Sequence, residues 1–183
     1  MLSRIRDRQA RRKQALQLHE LIVEQSRVPV FYTDLGVPDT MLGRYEMVCL
    51  HAYLVLTRLK RDGEARLAQT LHDLIFDDFD VALREAGLGD MGIGHRIKKL
   101  ARNLHGRISV YESGIAGADA EMATILRRNM YASVEPTEEQ VTAMITYVRA
   151  ARAAMDAGSS GVELLANGTA FVPPAARTGE AVG

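Results

Sequence analysis

The chain has one cysteine, no tryptophan, four phenylalanines and six tyrosines in 183 residues. A single Cys49 excludes an intramolecular disulfide, and one thiolate does not make a zinc site. A reducing compartment suits such a chain. So few aromatic rings argue against a stacking platform for single-stranded nucleic acid. Neither sign of charge is in excess, with 23 basic and 23 acidic residues. No global attraction to nucleic acid or anionic lipid follows, and DNA is not expected as a partner. No apolar run approaches the roughly 20 residues that span a bilayer, and no secretory signal is visible. No stretch alternates with period two for long enough to be a strand. Helical periodicity remains, in a length that suits one domain with an adequate core.

Residues 1–13 hold six basic residues against one acid and read as a solvated basic arm. A transit peptide is the alternative, opposed by Asp7 and by the helical pattern that follows directly. Contact of this arm with anionic headgroups is a further expectation. A helical domain is expected over 14–157, its first helix covering 11–26 with Leu18, Leu21 and Ile22 inward. Pro29 closes that helix. Residues 28–35 read as an extended connector anchored by Phe31 and Tyr32. Gly36-Val37-Pro38 is a turn, after which Asp39 or Thr40 can accept from the first free amides of the next helix.

That second helix, over about 40–60, is the most informative part of the chain. From Met47 to Leu56 only His51 is plainly polar, and a helix without a solvated face belongs at the centre of a helical domain. Leu42, Tyr45, Cys49, Ala52, Leu56 and Leu59 make one packing seam. Arg44, His51 and Arg58 are seven apart and stack along another line. A third helix over about 64–86 turns Ala68, Leu71, Ile75, Phe79, Ala82 and Ala86 inward and Asp73, Asp77, Asp80 and Arg84 outward. Asp78 falls between Leu74 and Ala82 on the apolar side. After a glycine-rich joint at 87–94, a fourth helix runs to about 113. Its apolar line is Ile97, Leu100, Leu104, Ile108 and Tyr111. Arg96, Lys98, Lys99, Arg102 and Arg107 occupy its other faces. A fifth helix covers about 118–131, and Thr137 with Gln140 forms a capping box opening a sixth. Residues 158–183 are small and polar, and are expected to be a disordered tail. The predicted architecture is an all-α bundle of about six helices around the central helix.

Signals of chemistry are weak. Gly87, Gly89 and Gly92 match the dinucleotide-binding glycine spacing, but a helix precedes them where that motif needs a strand. An inter-helix turn is the simpler reading. His51, His72 and His105 lack the Glu-x-x-His pairing of di-iron bundles. Cys49 is expected to be buried, where a thiolate is disfavoured, and no serine sits in a strand-to-helix elbow. No metal, cofactor or catalytic residue is therefore expected. Two polar features stand out. Asp78 on an apolar face needs a partner, and Arg44, His51 and Arg58 are the expected ones. The pairing is either an internal salt bridge or part of a polar groove that receives a client. The cations of the fourth helix are either solvated and facing the acidic stripe, or a partner-binding surface.

Four blocks carry a resemblance. They are Arg-Val-Pro-Val-Phe-Tyr-Thr-Asp-Leu-Gly-Val-Pro-Asp-Thr-x-x-Gly-Arg-Tyr-Glu at 27–46, Leu-His-Ala-Tyr-Leu-Val-Leu-x-Arg-Leu at 50–59, Phe-x-Asp-Phe-Asp-x-x-Leu-Arg-Glu-x-Gly-x-Gly-Asp at 76–90 and Gly-x-x-x-Lys-Lys at 94–99. In order and spacing the chain resembles the ubiquinol–cytochrome c chaperone family across roughly 14–155. On this chain the family pattern falls at Pro38, Asp39, Thr40, Gly43, Arg44, Glu46, His51, Arg58, Asp78, Asp80, Arg84, Gly89 and Asp90. His95 and His105 depart from it. The resemblance implies a helical, non-enzymatic assembly factor for respiratory complex III. It would bind a membrane-protein client such as newly made cytochrome b at the cytoplasmic face of the inner membrane, or in the matrix of a mitochondrion. The short lead-in and the preference for Arg over Lys look bacterial. An RNA- or ribosome-binding helical module and a small α-helical enzyme are the rival readings.

Overall fold

The structure, a computed structural model, describes residues 2–85, 104–157, 171 and 173–174. Among the described residues, six long helices and one single-turn helix make an all-α domain: α1 (Leu2–Ser26), α2 (Val30–Thr33), α3 (Met41–Arg61), α4 (Ala65–Glu85), α5 (Leu104–Ala116), α6 (Asp119–Asn129) and α7 (Glu138–Ala157). No strand occurs among the described residues.

The central helix is α3, which packs against α1, α4, α5 and α7. Of its predicted seam, Tyr45, Cys49, Ala52, Leu56 and Leu59 are buried, and so are Met47, Leu50, Tyr53 and Leu54 on other faces. Each fully buried leucine contributes about 1.5–3 kcal/mol, so this one helix supplies much of the core. Thr40 caps it, its Oγ1 accepting from the Gly43 amide at 3.2 Å. A Cβ at Gly43 would lie 1.9 Å from the Pro38 carbonyl oxygen, so only glycine lets the turn approach the helix. Asp62-Gly63 ends the helix as predicted.

Two expectations are corrected near the start of the chain. The basic segment is not a separate arm: α1 runs from Leu2, and residues 4–10 are exposed first turns of one helix. No proline or glycine interrupts Leu2–Ser26, and Arg, Gln, Ala, Leu and Lys are good helix formers. The predicted extended connector contains α2. Pro29 holds a helical φ of −55°, and its carbonyl accepts from the Tyr32 and Thr33 amides at 2.8 and 3.0 Å. A pre-set proline φ favours helix entry, and burial of Phe31 fixes the turn.

Asp7 and Arg11 lie beside Gly63–Leu67, and His19 faces Asp78, so α1 and α4 run in the same direction. In α4, Ala68, Leu71 and Ile75 are buried as predicted. The fourth predicted helix is seen as α5 from Leu104, with Ile108 and Tyr111 buried. The predicted capping box opens α7: the Thr137 amide donates to Gln140 Oε1 at 3.0 Å, and the Gln140 amide donates to Thr137 Oγ1 at 3.2 Å. The glycine-rich joint and most of the predicted tail lie outside the described residues. Phe171, within the segment expected to be disordered, packs its ring edge-on against His51 at 5.1 Å.

Candidate functional site

A groove of about 370 Å³ opens between the C-terminal half of α1, the 34–40 segment, the first turns of α3 and the C-terminal half of α4. Val23, Tyr45, Val48 and Phe79 form its apolar lining, with Met41 at the rim and 39% exposed. The Tyr45 and Phe79 rings pack at 4.6 Å. Tyr32 stiffens one wall, its hydroxyl donating to the Ser26 carbonyl at 2.6 Å. Charges rim this lining. Arg44 Nε donates to Asp39 Oδ1 at 2.6 Å, and that hydrogen bond holds the Asp39 carboxyl below its ordinary range. Arg27 and Asp78 also line the groove. A cleft with an apolar floor and paired charges on its edge suits an amphipathic or apolar polypeptide segment.

The polar line of α3 is largely structural. His51 is fully buried. Its Nδ1 is 2.8 Å from the Met47 carbonyl and 3.0 Å from Ser26 Oγ, and its Nε2 is 2.7 Å from the Tyr147 hydroxyl. A carbonyl only accepts, so the hydrogen is assigned to Nδ1 and Nε2 accepts from Tyr147. Burial pushes the imidazole pKa down to about 4, leaving the ring neutral. This network ties α1, α3 and α7 together. Arg58, also buried, donates from Nε to both Asp62 oxygens at 2.8 and 2.9 Å and from Nη1 to the Met155 carbonyl.

A second buried pair went unnoticed in the sequence. Glu46 is completely buried, with Oε1 2.6 Å from Arg107 Nη2 on α5 and Oε2 3.4 Å from the Tyr111 hydroxyl. Desolvation outweighs the guanidinium and the hydroxyl, and pushes the carboxyl up to about 7. Arg107 is thereby withdrawn from the open cationic face expected of the fourth helix. The signal was there: Glu46 is the one acid of α3 and directly precedes its apolar run, and an acid in such a place needs a cation from a neighbouring helix.

The expected burial of Asp78 does not hold. Its side chain is 56% exposed, with Oδ2 3.6 Å from His19 Nε2. Arg44, His51 and Arg58 are committed to other partners, and the helix that flanks Asp78 is α1. Position on an apolar arc of α4 says that a neighbour is near, but not where that neighbour's cover stops. Pro38, Asp39, Thr40, Gly43 and Arg44 are brought together at the groove mouth and the start of α3. The backbones of Asp80 and Arg84 belong to α4, while their side chains lie outside the description. Gly89, Asp90, Arg96, Lys98, Lys99 and Arg102 lie outside the described residues. Among the described residues, no three His, Cys, Asp or Glu side chains gather so as to hold a metal ion, and no helix is long and apolar enough to cross a membrane.

Over residues 33–170 the chain matches the family model described as ubiquinol-cytochrome C chaperone. It is 22% identical over 156 residues to the mouse ubiquinol-cytochrome c reductase complex assembly factor 1, covering 84% of this chain and 52% of that protein. It is 28% identical over 107 residues to the mitochondrial protein CBP3 of Saccharomyces cerevisiae, covering 55% of this chain and 32% of that one. The chain thus spans about half the length of the mouse relative. The crystal structure of the Cbp3 homolog from Brucella abortus superposes with a TM-score of 0.74 at 35% identity, covering 94% of this chain and 97% of that one. A match over three quarters of the sequence, with a shared fold over nearly all of it, makes this chain a member of the ubiquinol–cytochrome c chaperone family.

Proposed function

We propose that this protein is an assembly factor for ubiquinol–cytochrome c reductase, and that it holds a segment of a newly made membrane subunit, cytochrome b, in the groove between α1, α3 and α4. The observation that carries the reading is the groove itself, an apolar lining of Val23, Tyr45, Val48 and Phe79 whose mouth is formed by Asp39, Thr40 and Arg44. The mouse relative is named as an assembly factor of the ubiquinol-cytochrome c reductase complex, which supports the class of function. Holding a client needs shape and exposed apolar surface and no turnover chemistry, so no catalytic residue is assigned. The site of action is the cytoplasmic face of the inner membrane, or the matrix face in a mitochondrion.

A photo-crosslinking side chain at Met41, introduced in respiring cells, tests the proposal. It is expected to capture cytochrome b, and Val48→Asp is expected to abolish capture and lower complex III yield while the purified protein still melts cooperatively. Capture that survives Val48→Asp unchanged, or full complex III yield in that variant, would overturn it.

A further inference from the structure

We infer that the first three turns of α1 are a docking surface for an anionic lipid bilayer. Residues 4–13 carry Arg4, Arg6, Arg8, Arg11, Arg12 and Lys13 against Asp7 alone, whereas the remainder of the chain is net acidic. None of these six cations has an ion-pair partner among the described residues. By contrast, every arginine of α3, α5 and α7 lies within ion-pair distance of a carboxylate. Helices α3, α5 and α7 pair their arginines, whereas the first turns of α1 leave theirs open. Arg66, at the start of α4, adds a seventh charge. With Arg8, Arg11 and Arg12 it lines a concavity of about 460 Å³, where four cations face the two carboxylates Asp73 and Asp77.

Charge alone would serve RNA as well as lipid, and two aliphatic residues favour lipid. Ile5 is 51% exposed and Leu16 is 41% exposed. They are eleven positions apart, and Arg12 falls between them on the same line of the helix. Exposed aliphatics flanked by cations are what a helix lying in a headgroup layer presents, the aliphatics entering the acyl boundary and the cations meeting phosphate. Phosphate-backbone binding does not reward exposed Ile or Leu, and no Phe, Tyr or Trp precedes Phe31 to stack on a base. The surface is held in a fixed direction, because Ala15, Leu18 and Ile22 root the same helix in the core. It lies outside residues 33–170, which match the family model. The groove touches the other end of α1, at Val23–Arg27, and stays open while the first turns are docked. The inference stands without the cytochrome b reading.

The test is co-sedimentation of the full chain with vesicles of phosphatidylcholine alone and of phosphatidylcholine with phosphatidylglycerol, at low and high salt. Binding to the anionic vesicles is expected to exceed binding to the neutral ones at least about tenfold, and to fall with added salt. The triple reversal Arg8→Glu, Arg11→Glu, Arg12→Glu is expected to remove it with an unchanged melting curve. Ile5→Ser with Leu16→Ser is expected to weaken it several-fold. A control reversal, Arg128→Glu with Lys60→Glu, leaves binding in place. The inference is overturned if the chain sediments equally with both vesicle types, or if the triple reversal folds and still binds. It is also overturned if an RNA duplex binds more tightly than the anionic vesicles and is indifferent to the Ile5 and Leu16 changes.

Discussion

Glu46 and His51 stand five positions apart on α3 and are buried with opposite consequences for acid–base behaviour. The Glu46 carboxyl sits at about 7 in the fold against an ordinary 4.5. The native state therefore keeps a proton that the unfolded chain has released, and stability falls as pH rises from about 4.5 through 7. The His51 ring sits at about 4 against an ordinary 6.5. There the unfolded chain takes up the proton first, and stability falls as pH drops from about 6.5 through 4. Each effect amounts to about 3 kcal/mol at its far end, and between 4.5 and 6.5 they oppose one another. Glu46→Gln mimics the protonated acid. It is expected to match the unmodified protein near pH 4.5 and to exceed it by about 2–3 kcal/mol at pH 8, measured by urea unfolding across pH. A constant difference across that range would show that Glu46 stays ionised beside Arg107. Asp78 belongs to the opposite class. It is more than half exposed and 3.6 Å from a histidine nitrogen, so Asp78→Ala is expected to shift stability by less than about 1 kcal/mol. Thermal melting decides the matter, because the buried ion pair predicted from sequence would have made the change severe.

At the scale of the element, the start of α3 is where local chemistry is most tightly specified. Thr40→Ala removes an acceptor for the Gly43 amide and is expected to cost about 1 kcal/mol. Gly43→Ala is expected to cost more, roughly 2–4 kcal/mol, because the new methyl would meet backbone rather than a flexible side chain. Both values are read by chemical denaturation. A Gly43→Ala cost below that of Thr40→Ala would mean that the Pro38 turn can move away freely. The groove is tied to this same turn. Gly43→Ala is therefore also expected to weaken client capture at Met41 in the fraction that remains folded. The two ends of α1 show a division within one element: its C-terminal half belongs to the core and the groove, and its exposed N-terminal half carries unpaired charge.

Across the whole molecule, Phe171 lies next to the network that joins α1, α3 and α7. Its ring meets His51 edge-on, and edge-on aromatic pairs contribute about 0.5–1.5 kcal/mol beyond area burial. Truncation after Ala157 and the single change Phe171→Ala are both expected to lower the melting temperature by about 2–4 °C. A truncation that melts like the full chain would show that this contact adds nothing. Much of the architecture was legible beforehand. Period and caps are local properties, and so the central helix, its seam, the Asp62-Gly63 stop, the Thr137–Gln140 box and the all-α class could be read from neighbouring residues alone. The burial of Cys49 followed from an apolar run without a solvated side. Partner choice was not legible. That Glu46 meets Arg107, that His51 meets Tyr147, and that Asp78 faces α1 in open solvent depend on which helices become neighbours and at what height. The groove is of the same kind. Val23, Tyr45, Val48 and Phe79 come from three helices and form a lining only after those helices pack, because one sequence position fixes a direction around its own axis and nothing about the surface that arrives opposite.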